Sequence, residues 1–219
     1  MKRMHQNSAA RARKFTAAAL TVSAAALALT ACDPTGEEKK TSSTSYEITE
    51  KATALEVSTK GGNITVTTTD GTAVKVTETL RYTDGKPKTS HSVTGGTVDL
   101  TDGGCESGDC SVDYRLEIPR SLTVTADTDG GDVEGEGLAA DVTAKSAGGD
   151  ISLAFTAKPG RVQADTAGGN VEVKVPGGTY AVDASTAGGE RKVGVTHDKS
   201  ARNKITARSE GGDVTVTAN

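Results

Sequence analysis

A Gly-Gly pair recurs along this chain, flanked each time by the same alternation of apolar and polar residues. Full units centre on glycines 61–62, 130–131, 148–149, 168–169, 188–189 and 211–212, and the last five lie 18, 20, 20 and 23 residues apart. An apolar residue stands six positions before the first glycine, Ala or Val four before it, and Ser or Thr two before it. Such self-similarity is typical of repeat proteins, whose units bury their apolar faces on one another.

Alternation with period two predicts a strand on each side of every Gly-Gly corner. We expect glycine to supply the positive φ of a tight corner, the Ala column to line a narrow interior, and the Ser/Thr column to form a hydroxyl ladder. A period of about 20 residues favours an all-β fold, a single parallel β-solenoid (β-helix) with units stacked in chain order, over a sandwich with shorter strand spacing and Asn-Gly hairpins.

Residues 72–122 are less regular, and they form the less regular N-terminal part of the predicted solenoid. Residues 73–82 alternate well, and a second strand over residues 112–118 is stopped by Pro119. We expect longer strands here, with a hairpin that carries the cysteine loop at its tip.

The first 31 residues predict a helical lipoprotein signal peptide. They contain five basic residues and no acidic ones, and the apolar run from Phe15 to Leu29 is short for a transmembrane helix. The segment Leu29-Thr30-Ala31-Cys32 resembles a bacterial lipobox, which implies cleavage before Cys32 and its acylation. The alternative is an ordinary signal peptide with a chance cysteine. We assign residues 32–45, rich in Ser, Thr, Lys and Glu, to a flexible tether and residues 46–219 to the folded domain.

Two cysteines remain once Cys32 is assigned to the lipid anchor. Cys105 and Cys110 are close in sequence, and in an exported chain such a pair favours a disulfide. The alternative is half of a metal site, but no second cysteine pair exists in the sequence.

The segment from Val112 to Pro119, followed by Leu122-Thr123-Val124 and serial Gly-Gly-Asp-Val units, resembles the adhesin-like β-strand-repeat family of unknown function. The resemblance covers roughly residues 46–219. It implies a β-helical fold on exported or membrane-tethered proteins, and it brings no catalytic residues to carry over. Arg191 departs from the pattern, because its neighbours in the column are Val or Ile. Either that unit shifts register or Arg191 reaches solvent at an edge.

Candidate ligand residues follow each Gly-Gly corner. In stacked units they form a column spaced about 4.8 Å apart, and they are Asn63, Asp132, Asp150, Asn170, Glu190 and Asp213. One interpretation is a divalent-cation or glycan site. The alternative, which we favour, is that Asp and Asn suit corners because they hydrogen-bond to their own backbone. We assign no metal, cofactor or catalytic residue, and we expect His91 and His197 to lie in surface turns.

A second column points outward three positions before each corner. It consists of Ser58, Asp127, Lys145, Asp165, Ser185 and Arg208. The stacking predicts that Lys145 lies between Asp127 and Asp165 on adjacent parallel strands, where opposite charges attract.

Composition limits the partners. The chain without its leader has 20 basic and 29 acidic residues, a net charge of −9, which disfavours nucleic acid. Aromatic residues make up 3% of the chain, too few for a base-stacking platform.

We expect a lipid-anchored surface binding, adhesin-like or structural module on the extracytoplasmic face of a bacterial membrane, which binds a cell-wall glycan or an envelope protein. The alternatives are a carbohydrate-active β-helix enzyme and an envelope-stress or signalling accessory protein.

Overall fold

A computed structural model describes residues 39–219, and the elements in this range are all strands. These residues contain no helix that could span a membrane. The predicted signal peptide and Cys32 lie outside the described residues, as does the tether up to residue 38.

Within residues 39–219, eighteen strands form two nine-stranded sheets. Sheet A contains, from edge to edge, β1 (Lys40–Ile48), β4 (Val74–Tyr82), β7 (Cys110–Pro119), β3 (Ile64–Thr69), β9 (Val133–Leu138), β11 (Ile151–Phe155), β13 (Val171–Val175), β18 (Val214–Ala218) and β15 (Arg191–Gly194). Sheet B contains β16 (Thr196–His197), β14 (Thr179–Thr186), β17 (Lys204–Ser209), β12 (Arg161–Thr166), β10 (Val142–Ser146), β8 (Thr123–Thr128), β2 (Ala54–Thr59), β6 (Thr97–Asp102) and β5 (Thr89–Thr94).

Each Gly-Gly corner joins a strand of sheet B to a strand of sheet A, and neighbouring units pair in parallel without a register shift across the Ala column. Ala144 lies opposite both Ala126 and Ala164, and Ala164 lies opposite Ala207. These alanines are almost fully buried in one hydrophobic core to which both sheets contribute. The all-β prediction is confirmed, and the parallel stacking makes the fold solenoid-like.

The stacking order departs from chain order at the C-terminal end. The last unit, β17 and β18, lies between β12–β13 and the β14–β15 unit that precedes it in sequence. Ile205, Val214 and Val216 of the last unit are fully buried, whereas Arg191 is exposed on the edge strand β15. The order follows from this difference, because a charged residue in the apolar column is tolerated only at an edge. The predicted in-order stacking is therefore wrong for the last two units.

The N-terminal end mixes parallel and antiparallel pairing, since β6 and β7 pair in parallel with β2 and β3. There β4 pairs antiparallel with both β1 and β7, and β5 forms an antiparallel hairpin with β6. The predicted longer strands are present, since β4 has nine residues and β7 has ten. The cysteine loop, however, connects β6 of sheet B to β7 of sheet A, and the hairpin turn is Gly95-Gly96, with φ of 60° and 85°.

The folded domain begins earlier than predicted. Residues 40–45, which we assigned to the tether, form the first part of β1. Ser and Thr hydroxyls explain this, because Ser45 Oγ lies 2.9 Å from Thr77 Oγ1 of the neighbouring strand β4. Cross-strand hydroxyl pairs of this kind stabilise a sheet even without apolar burial.

The second glycine of each corner is required by close approach and not by a positive φ. Positive φ occurs among the described glycines at Gly95, Gly96, Gly104, Gly108, Gly137 and Gly178, and none of these belongs to the six full corners. A Cβ on the second corner glycine would instead collide with the unit below: at Gly131 it would lie 2.1 Å from the Gly62 carbonyl oxygen. The prediction that these corners need a positive φ is therefore wrong, because glycine is needed there for the space that a Cβ would occupy.

Candidate functional site

The Ser/Thr column is a ladder of buried hydroxyls that ties each corner to the next. Ser146 Oγ donates a hydrogen bond of 2.8 Å to the Gly131 carbonyl of the preceding unit. The same oxygen accepts one of 2.8 Å from the backbone N–H of Gly149 in its own corner. Equivalent donor bonds are made by Thr128, Thr166, Ser209 and Thr186. These hydroxyls are satisfied within the protein and serve the stacking.

The column after the glycines forms a second ladder, between side chains and the backbone of the next unit. Asp132 Oδ1 accepts a hydrogen bond of 2.8 Å from the backbone N–H of Asp150, and Asp150 Oδ1 accepts one of 2.6 Å from that of Asn170. In the same way, Asn63 Oδ1 accepts from the backbone N–H of Asp132 and Asn170 Oδ1 from that of Asp213. Asp213 Oδ1 accepts from the backbone N–H of Glu190. Each side chain thus bonds to a neighbouring unit, and not to its own corner as expected.

This ladder accounts structurally for the candidate ligand residues. One oxygen of each Asp or Asn along the ladder is occupied by a backbone N–H. Glu190 lies at the outer end of the column, where its own N–H is the donor to Asp213. Within residues 39–219, no group of three or more His, Cys, Asp or Glu side chains is arranged to hold a metal ion.

The outward column lies in an open groove, here called the outer trough. Its volume is about 680 Å³, and it runs across the five parallel strands from β8 to β14. The trough is lined by the three residues that precede the corner in each of these strands: Asp127, Thr128, Asp129, Lys145, Ser146, Ala147, Asp165, Thr166, Ala167, Ser185, Thr186, Ala187, Arg208, Ser209 and Glu210.

Charges of alternating sign follow one another along the outer trough. Lys145 lies directly opposite Asp127 on one side and Asp165 on the other, so the predicted arrangement is confirmed. Arg208, and not Ser185, follows Asp165, because the last unit is inserted there. The Lys145 ammonium takes part in none of the ion pairs among the described residues. The two aspartates flank the cation on the strand between them without forming an ion pair with it.

Asp165 has one unused oxygen beside these cations. Its Oδ2 accepts a hydrogen bond of 2.7 Å from Gln163 Nε2, while its Oδ1 is buried without a hydrogen-bond partner. On the next strand of the same column, Arg208 is paired with Asp183 at 2.5 Å. The outer trough therefore contains one unpaired ammonium group and one unpaired carboxylate oxygen on adjacent strands.

We expect Lys145→Asp to destabilise the protein by about 1 kcal/mol at low salt, because it places three carboxylates on consecutive strands. Added salt screens this repulsion, so the loss in melting temperature should shrink as ionic strength rises. Thermal unfolding at two salt concentrations measures the effect. Lys145→Ala removes the cation without adding an anion and is the control. An equal loss of melting temperature in both variants, independent of salt, would contradict an electrostatic origin of the destabilisation.

A buried carboxylate at the N-terminal end escaped the sequence analysis. Glu78 of β4 is 4% exposed. It accepts hydrogen bonds of 2.7 Å from the Tyr46 hydroxyl of β1 and from Thr89 Oγ1 of β5. Burial, followed by the hydrogen bond to Glu78, raises the pKa of Tyr46. Glu78 therefore links both sheets. The sequence feature that indicates its burial is its position between Val76 and Leu80, at an inward-facing place that is otherwise apolar.

Tyr114 lies beside this carboxylate. It pairs with Glu78 across the β4–β7 ladder, is 1% exposed, and its hydroxyl has no hydrogen-bond partner. Burial, with a smaller contribution from the Glu78 charge, raises the pKa of this phenol.

The histidines that we expected in turns, His91 and His197, lie on strands. His91 on β5 stacks on Tyr46, and His197 on β16 accepts a hydrogen bond from the Val182 backbone N–H.

The predicted disulfide between Cys105 and Cys110 is present. It closes the exposed loop that carries the chain from β6 to β7.

The family of the chain follows from its sequence and agrees with this architecture. The model of the Toastrack DUF4097 family matches residues 13–217. The chain belongs to this family. The predicted resemblance to an adhesin-like β-strand-repeat family is thereby confirmed, and this Toastrack domain contains the Gly-Gly units, both ladders and the outer trough. No curated protein was found to be similar to it.

Solved structures similar to this Toastrack chain include proteins from three bacterial genera. A candidate cell adhesion protein from Clostridium sporogenes is 10% identical, with a TM-score of 0.44 over 83% of this chain and 100% of that one. A candidate adhesin from Bacteroides fragilis is 15% identical, with a TM-score of 0.34 over 84% of this chain and 99% of that one. A candidate adhesin from Parabacteroides distasonis is 10% identical, with a TM-score of 0.40 over 82% and 98%.

Proposed function

We propose that this Toastrack protein is a lipid-anchored binding module on the extracytoplasmic face of a bacterial membrane, and that the outer trough is its binding surface. The observation that carries the proposal is the trough itself. It is a continuous open groove of about 680 Å³ across five parallel strands, with charges presented in register. Extended solenoid surfaces of this kind commonly serve binding.

An extended polymer is the ligand class that suits such a surface. The groove is open along its length, and its exposed small residues Ala147, Ala167 and Ala187 leave room for a chain to lie across the strands. Lys145 is exposed and offers an ammonium group, which donates hydrogen bonds to hydroxyl, amide carbonyl and carboxylate groups. A cell-wall glycan with its attached peptides presents all of these groups.

Filling the trough should abolish binding. The probe is a preparation of cell-wall sacculi, and the full chain in detergent is tested for co-sedimentation. Ala167→Trp places a large side chain in the groove and is expected to reduce the bound fraction by about tenfold, as for an interface residue at the centre of contact. Ser152→Trp, on the exposed face of β11 in the other sheet, is the matched control. If neither variant changes retention, or the wild-type chain does not sediment, the trough is not a wall-binding site.

Support for the anchor comes from the leader and from the disulfide. The lipobox-like Leu29-Thr30-Ala31-Cys32 follows a basic and apolar leader, and structural disulfides are typical of oxidising compartments outside the cytoplasm. Mass spectrometry of membrane fractions should detect an acylated peptide that begins at Cys32, and Cys32→Ser should release the protein from the membrane. A processed chain that begins elsewhere would contradict the lipoprotein assignment.

A further inference from the structure

The two ends of sheet A differ in how they protect their edge strands. At the C-terminal end, β15 is four residues long and begins with Arg191 and Lys192. Short, charged edge strands discourage pairing with another chain. At the other end, β1 has nine residues that pair with β4 in unbroken register. Its outer edge pairs with no strand among residues 39–219.

The middle of β1 has none of the usual protective features of an edge. Residues 41–45 read Thr-Ser-Ser-Thr-Ser, without a charge, a proline or a bulge. They are exposed or half-buried. A long, regular, uncharged edge of this kind is a template for a further strand.

The sequence of β1 is complementary to itself when it is reversed about Ser43. With Ser43 opposite Ser43 of an antiparallel copy, Ser42 lies opposite Thr44 and Thr41 opposite Ser45, so hydroxyls meet hydroxyls. In the same register Lys39 lies opposite Glu47, and two-fold symmetry makes this ion pair twice. The side chains of Lys39 and Glu47 are both exposed, and they share a face because they are an even number of residues apart.

We propose that β1 pairs antiparallel with β1 of a second copy of this chain, with Ser43 on the two-fold axis. The pairing makes sheet A continuous through the dimer and leaves the charged β15 edges at its two ends. It also extends the hydroxyl pairs that β1 already forms with β4, at Ser45–Thr77 and Ser43–Thr79. The interface is isologous, so the complex closes as a dimer and does not propagate.

Cysteine cross-linking of the full chain in detergent tests the register. Ser43→Cys places two thiols opposite each other, with Cβ atoms about 5 Å apart, and a short bis-maleimide should convert most of the protein to a covalent dimer. Thr41→Cys is the matched control, because its two copies would lie about 13 Å apart along the strands. The wild-type chain measures the background from its own cysteines. Equal cross-linking at both positions would show random collision and would overturn the proposal.

A charge swap tests the same pairing without new cysteines. Glu47→Lys faces Lys39 of the second copy and should weaken the dimer by about tenfold in sedimentation analysis, since two attractive pairs become repulsive. The double variant Lys39→Glu, Glu47→Lys restores opposite charges and should restore the dimer. Sedimentation as a monomer at all concentrations, together with no cross-linking at position 43, would overturn the proposal. Slow amide exchange along β1 in such a monomer would identify a segment of the same chain on this edge.

Discussion

Gly131→Ala should cost the protein more than about 4 kcal/mol of its unfolding free energy, a loss at which many domains no longer fold. The added Cβ would lie 2.1 Å from the Gly62 carbonyl oxygen and 2.4 Å from its carbon. Both atoms belong to the backbone of the neighbouring unit and cannot rotate away. We expect loss of soluble expression, or a fall of many degrees in the melting temperature measured by circular dichroism.

Gly130→Ala is the matched control in the same corner. Its Cβ would have only the Gly61 Cα nearby, at 4.0 Å, which is an ordinary contact. We expect this variant to unfold within about 1 kcal/mol of the wild-type protein. If the two alanine variants were equally stable, the units would not be packed as closely as the corner geometry requires.

Glu78→Ala should cost about 3 kcal/mol, because it removes the buried acceptor of two half-buried hydroxyls and leaves a cavity. The hydroxyls of Tyr46 and Thr89 come from different sheets and both point at this carboxylate. Urea unfolding gives the free energy of unfolding directly. We expect β1 and β5 to lose protection from hydrogen exchange first, since Glu78 joins them.

Tyr114→Phe is the control for this cluster. It removes a buried hydroxyl that has no partner, at a ring position that the phenyl group still fills. The change should be neutral or should stabilise the protein by up to about 1 kcal/mol. Stability lost in this variant would mean that the phenol has an acceptor, and that the cluster extends beyond Glu78.

The repeat units could be predicted because their signals are local. The positions of Ala144 and Ser146 relative to Gly148 fix which residues face inward, and parallel stacking then places Lys145 between Asp127 and Asp165. The stacking order of the units could not be predicted in this way, because all of the units share the same sequence pattern. Only Arg191 indicated that its unit belongs at an edge.

The candidate site could be predicted only in part. The charged column of the outer trough follows from the repeat. The depth of the trough depends on how the strands bend into the corner, which the period of the repeat does not determine. The Glu78 cluster was missed for another reason. Tyr46 is 32 residues from Glu78 in sequence and Thr89 lies in the other sheet, so the partners meet only in the folded protein.

The inserted position of the last unit affects how the fold can be completed as the chain emerges during synthesis. In a solenoid stacked in chain order, each new layer adds to a finished surface, and a shortened chain loses only its outermost layer. Here β14 and β15 have no layer on their inner side until β17 and β18 arrive. A chain cut after residue 203 would lack an internal layer, and two apolar faces would be exposed instead of one. Cellular proteases and chaperones should therefore recognise such a chain as unfinished even though it contains 203 of these 219 residues.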